Sequence, residues 1–213
     1  TKTAKTADFP ATTWINLTKG GHMFLGSHGY NHVKITDLSD EEYYHETVEA
    51  VQDLKTFLPG VNFLTYATPY TGPVGRDDIV KDVIYANRSG SGKGLNPISP
   101  NQGTMFNLAS FVVKNNTEPS ALMEAVKEAY DRNLWHIQMW HGFDGGEYCP
   151  PSSVAEAFFK EASAYKDKMW FATMDEAVKY IYEKQNATLT VEGDEKKVKV
   201  KLTDTLDDKI FDM

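Results

Sequence analysis

With 213 residues, 41% of them hydrophobic, 24% charged and 12% aromatic, the chain has the make-up of one folded domain with a real core and a small appendage, not of a disordered segment. Its 30 acidic residues against 22 lysines and arginines leave a net charge of -8, which argues against a nucleic-acid backbone as partner and suits a neutral polysaccharide. The single Cys149 excludes an intrachain disulfide and a cysteine-based metal site, and no run of about 18 apolar residues offers a membrane span.

In chain order, Ala11 to Leu17 reads as a strand centred on Trp14 and Ile15, and Met23 to Leu25 as a second, very short one ending at Gly26. Ser39-Asp-Glu-Glu42 is a capping box that opens a helix to about Phe57, with Tyr44, Val48, Val51, Leu54 and Leu58 as its buried stripe. Pro59-Gly60 stops that helix, and Val61 to Tyr66 is the next strand, running into Thr68-Pro-Tyr70. A helix is predicted from about Gly75, a strand at Val83 to Tyr85, and a long loop rich in Gly, Ser and Pro from Asn87 to Gln102. Met105 to Val113 is irregular or strand, and Pro119 starts a helix through Arg132 with Leu122, Val126 and Ala129 inward. Leu134 to Trp140 is a buried strand, Ser152 to Tyr165 a helix and Lys168 to Ala172 a short strand. Thr173-Met-Asp-Glu176 is a second capping box, for a helix ending near Lys184. This alternation is α/β order with parallel strands. Residues 187–213 break it with a hairpin around Gly193-Asp194 and a tail ending on Phe211 and Met213, the start of a C-terminal β appendage to a domain spanning 1–186.

The chemistry-bearing residues gather after predicted strand ends. In Ser27-His-Gly-Tyr-Asn-His32 two imidazoles stand four apart. On the opening turn of a helix they share a face and can bind one metal through nitrogen, with a carboxylate needed as third ligand. The alternative is two surface histidines that meet by accident. His141, in Trp140-His-Gly-Phe-Asp-Gly-Gly146, sits where it can deliver a proton to a leaving group, or serves as a loop histidine bonded to backbone. Asp144 and Glu147 are the acids near it. His22, His45 and His136 read as structural. Tyr66 and Thr68-Pro-Tyr70 place aromatic rings at another strand end. Four glycosylation sequons, at Asn16, Asn87, Asn115 and Asn186, point to a secreted protein, with the leader absent from this chain.

From Pro10 to Ile181 the chain resembles the polysaccharide deacetylases, the metal-dependent family of chitin deacetylase, acetylxylan esterase and rhizobial chitooligosaccharide deacetylase. Ser27-His-Gly-Tyr-Asn-His32 matches that family's His-x-x-x-His metal motif, Thr68-Pro-Tyr70 its Pro-Tyr groove motif, and Trp140-His141 its strand-end general acid. Ala11-Thr12-Thr13-Trp14 looks like the strand after the family's first catalytic loop, and Trp170 to Thr173 like a late strand. The resemblance implies a distorted, incomplete (β/α) barrel and hydrolytic removal of acetyl groups from acetylxylan, chitin oligomers or peptidoglycan. It implies His28 and His32 as ligands of a divalent metal (zinc, with cobalt or nickel as alternatives), His141 as catalytic acid, and Pro69, Tyr70 and Trp140 as substrate contacts. The family's Thr-Phe-Asp-Asp motif, source of the base and third ligand, has no counterpart between Thr1 and Ala11, where Asp8 lies too close to the predicted strand. The chain is then either a fragment, its barrel completed by another chain or a swapped segment, or a relative that has lost the aspartates. The groove arginine is missing before Thr68 as well, leaving Arg76 or Arg88 to replace it in space. The second expectation is a non-catalytic carbohydrate-binding or interaction protein on the same scaffold. A Gly-x-Ser-x-Gly elbow is absent, and Ser89-Gly-Ser-Gly-Lys93 lacks the phosphate-loop spacing.

Overall fold

The computed structural model describes residues 10–21, 23–193 and 196–211; Asp8, His22, Asp194 and Met213 lie outside them. The chain forms two compact units that part between Phe171 and Ala172.

The first unit is built on a parallel sheet of β1 (Thr65–Ala67), β2 (Ala86–Gly90), β4 (Leu108–Val112) and β6 (Gln138–Met139), hydrogen-bonded in that order. Ser27 adds a parallel bridge to Tyr66 on the free side of β1. Spatial order therefore repeats chain order, without the reversal that marks a doubly wound sheet. Such an order is what the wall of a (β/α) barrel has. The α/β class and the parallel strands agree with the sequence reading.

Helices cover the sheet. After α1 (Ala11–Thr18), the capping box at Ser39 and Glu42 forms as expected and opens α2 (Asp40–Tyr44), which passes through a π-helical turn, His45–Glu49, into α3 (Ala50–Phe57). That turn changes which residues face inward. Tyr43, not Tyr44, is buried, and it shares its inner face with Val48 five residues on. A π turn accommodates one extra residue, so the stripe slips by one position relative to a plain 3.6 period. These helices, Phe63, Tyr66, Val74, Val80, Ile84 and Phe106 make one core cluster. A second joins α6 (Pro119–Arg132) and α7 (Ser152–Ala162) through Leu122, Met123, Val126, Phe158 and Ala162.

Several local expectations are corrected. Ala11 to Leu17 is helical, because Ala11, Trp14 and Ile15 pack on the first core cluster at helical spacing. The likeness of Ala11 to Trp14 to a family strand fails with it. Met23 to Leu25 forms no strand, and pairing is confined to Ser27. The strand predicted at Val83 to Tyr85 lies at Ala86–Gly90 instead, and the supposed loop after it also holds β3 (Leu95–Pro97). β3 pairs antiparallel with β5 (Leu134–His136), so the single predicted strand from Leu134 to Trp140 is two, β5 and β6. Gly94 makes this exchange possible: any side chain there would strike the Ile137 carbonyl and the Phe111 amide. The helix expected from Gly75 is only α4 (Asp77–Val80), and α5 (Gln102–Met105) precedes β4. Lys168 to Ala172 is not a strand, and Trp170 and Phe171 are exposed.

In the second unit, α8 (Met174–Asn186) starts at the predicted Thr173–Glu176 capping box. The predicted hairpin follows as β7 (Thr188–Gly193) and β8 (Val198–Thr203), then α9 (Asp208–Phe211), where Phe211 packs on Tyr182.

Candidate functional site

His28 follows directly on the bridged Ser27, at the C-terminal end of the sheet beside β1. Its Nδ1 lies 2.5 Å from the carbonyl oxygen of Ala67, the last residue of β1. Donation from Nδ1 to that carbonyl leaves the Nε2 lone pair open. The chain then turns through Gly29, in the left-handed region at φ 84°, and His32, also left-handed at φ 55°. Residues 28–32 are thus a loop and not the helical turn that the spacing suggested. The two imidazoles nonetheless meet, ring centroids 4.8 Å apart and nearly perpendicular. On its other side His32 meets the ring of Tyr70 at 5.0 Å.

Tyr70 and Thr71 are consecutive left-handed residues after β1, at φ 60° and 70°. Asn87, fully buried in β2, holds this turn: its Oδ1 accepts from Thr68 N (3.1 Å) and Thr68 Oγ1 (2.9 Å), while its Nδ2 donates to the carbonyls of Phe106 and Gly72. Tyr70 is left 66% exposed, whereas Pro69 is buried. Backbone held in unfavourable regions at two adjoining loops is a common mark of a working site.

Arg88, the next residue of β2, is half-buried, and its guanidinium donates to Sδ of Met139 on β6. Burial lowers its pKa to about 10. Its charge reaches both His28 and His141. His28 is held below the ordinary histidine range first by desolvation, against the Ala67 bond, and then by His32, Arg88 and His141. His141, just past β6, is held low by desolvation, Arg88 and His32. Four residues from distant parts of the sequence, His28, His32, Arg88 and His141, are therefore electrostatic neighbours at one end of the sheet. Neutral imidazoles there are available as metal ligands or proton acceptors.

The other candidates, and the ring beside His141, have contacts of their own. Trp140 packs on Phe143, Phe158 and Phe159, and its indole donates to Gln138 Oε1 at 3.1 Å. Asp144 accepts from Ser152 N at the start of α7, and Tyr148 is the ring against His141, at 5.0 Å. Arg76 is committed to Asp40, the Leu38 carbonyl and the face of Tyr43. Arg88 was one of two options in the sequence, and the structure brings it to the histidines. Glu46 carried no signal beyond its place in the helix, and it bonds the loop between His28 and His32.

For a divalent metal, His28 and His32 fit as two nitrogen donors, the first with its Nδ1 already anchored to the Ala67 carbonyl and its Nε2 open. Among the described residues no group of three or more His, Cys, Asp or Glu side chains is placed to hold an ion.

No family model matches the chain. It is similar to a gellan lyase from Bacillus sp., with 24% identity over 225 aligned residues. The alignment covers 93% of this chain and only 9% of that protein, so the chain spans a small part of the relative's length.

Proposed function

We propose that the chain carries a metal-dependent polysaccharide deacetylase site, on a distorted, incomplete (β/α) barrel of that family's type. The observation that carries this reading is the contact of His28 with His32 at the C-terminal end of a parallel sheet, within electrostatic reach of Arg88 and His141. His28 and His32 hold the divalent metal, zinc or its neighbours cobalt and nickel. Such an ion polarises an acyl carbonyl and acidifies bound water.

The protein's own groups do the rest. The Ala67 carbonyl orients His28. As a carboxylate base draws a proton from the attacking water, His141 delivers one to the departing sugar oxygen or nitrogen while its bond to the acyl carbon breaks. The guanidinium of Arg88 favours the negative charge that develops on the acyl oxygen. Tyr70 offers its exposed ring to a sugar face. A base and a third ligand are carboxylates from outside the described residues, and a completing chain or swapped segment, as well as secretion, belong to the same proposal.

A second reading is glycan binding without turnover. It is favoured by the lack, among the described residues, of a third ligating side chain beside the histidine pair. The likeness to a gellan lyase adds gellan to the glycans to be tried. Acetate release from acetylated xylan, chitin oligomers, peptidoglycan and acetylated gellan, with zinc present, separates the two. Release from any of them supports the deacetylase. Retardation by a glycan in affinity electrophoresis with no acetate released supports the binding reading.

A further inference from the structure

Glu46 is 4% exposed, a carboxylate inside the first core region of the protein. An unserved buried carboxylate is costly, and an apolar residue would fill the helix stripe more cheaply. This one is served by the loop between the two histidines. Its Oε2 accepts from the backbone N–H of Tyr30 (3.0 Å) and of Asn31 (2.8 Å), and its Oε1 accepts from the Asn31 side-chain amide. All three donors belong to Tyr30 and Asn31, two of the three residues between His28 and His32.

The surroundings are fitted to the same end. The π turn His45–Glu49 widens the helix where Glu46 points inward. A Cβ on Gly29 would come within 3.3 Å of Glu46 Oε2 and 3.1 Å of the Tyr66 hydroxyl, so a glycine is what lets the loop lie on the carboxylate. The Tyr30 ring stacks on His45 at 4.7 Å, and its hydroxyl donates to Asp53 at 2.8 Å. The strained His32 follows immediately, at φ 55°.

We propose that Glu46 is a positioning residue: it fixes the Tyr30–Asn31 backbone so that His28 and His32 face one metal ion. This rests on the metal-site reading above. It assigns a task to a residue that touches neither metal nor substrate.

The test uses zinc calorimetry together with amide hydrogen exchange at Tyr30 and Asn31 in the metal-free protein, and thermal melting as the check on folding. Wild type is expected to bind zinc and to protect both amides. Glu46→Ala is expected to lose that protection and about 10- to 100-fold in zinc affinity, the usual cost of losing an outer-shell partner. Glu46→Gln keeps an oxygen for the two backbone donors while the Asn31 amide flips, and is expected to recover most of the affinity. A folded Glu46→Ala that binds zinc like wild type overturns the assignment and leaves the metal site standing. Wild type that binds no zinc overturns the metal site and this role with it. If Glu46→Ala does not fold, Asn31→Ala decides: the residue is exposed and only the side-chain arm is lost. Weaker zinc binding then supports the role, and unchanged binding overturns it.

Discussion

His28 Nδ1 and the carbonyl oxygen of Ala67 stand 2.5 Å apart, which ties the first imidazole to the end of β1 through one nitrogen and leaves the other open. Metal-binding histidines are characteristically held this way. Zinc titration is expected to show His28→Ala weaker than wild type by more than about 100-fold, beyond the 10- to 100-fold typical of losing an outer-shell bond. Equal affinities would remove His28 from the ligand set.

Arg88 keeps His141 low through its charge, second only to desolvation. Arg88→Gln removes that charge. The titration midpoint of His141 in metal-free protein, followed by NMR, is expected to rise toward the ordinary histidine value near 6.5. A midpoint that stays or falls would show that Arg88 does not act on His141.

His136 supplies a pH dependence of stability. The Gln138 amide nitrogen lies 3.1 Å from its Nε2 while Gln138 Oε1 accepts from Trp140, so Nε2 accepts and the ring is neutral. Burial holds its pKa below the ordinary value. The unfolded chain therefore binds the proton first as pH falls through about 6.5. Stability from this group is full above that pH and is lost toward the lowered folded pKa. Urea midpoints are expected to drop over this window, and less steeply in His136→Gln; parallel profiles would contradict the assignment.

Asn87 occupies a glycosylation sequon, yet it is fully buried and all its amide atoms are bonded. Expression in a glycosylating host is expected to leave it unmodified, whatever happens at the exposed Asn16, Asn115 and Asn186. Peptide mass spectrometry reads this directly. Asn87→Ala is expected to destabilise by about 1–3 kcal/mol for each buried partner left unpaired; a variant that melts like wild type would contradict this.

The sequence was informative where local signals act alone. Both capping boxes formed, because an N-cap side chain and its partner three residues on need nothing from the rest of the fold. The hairpin followed from strict alternation. Reading failed where tertiary packing chose between periods. Trp14 and Ile15 suit a strand by propensity, but together with Ala11 they made a helical face against the core. The π turn was invisible, since nothing in His45–Glu49 announces an extra residue. Of the site, His28, His32, Tyr70 and His141 were legible as strand-end residues. Arg88 was legible only as one of two arginines, because the choice depends on which strand lies beside β1, and Glu46 was not legible at all, since its role comes from which helix lies under the loop.

Acetate release from acetylated xylan in the presence of zinc, measured for the wild-type protein and for His141→Ala, tests the central claim most directly. The account predicts release by wild type and a rate lower by roughly 10² to 10⁴ in the variant, the usual contribution of a positioned acid–base group. An unchanged rate in His141→Ala would take that residue out of the mechanism. No acetate from wild type, on this or any other acetylated glycan, would contradict the deacetylase reading itself.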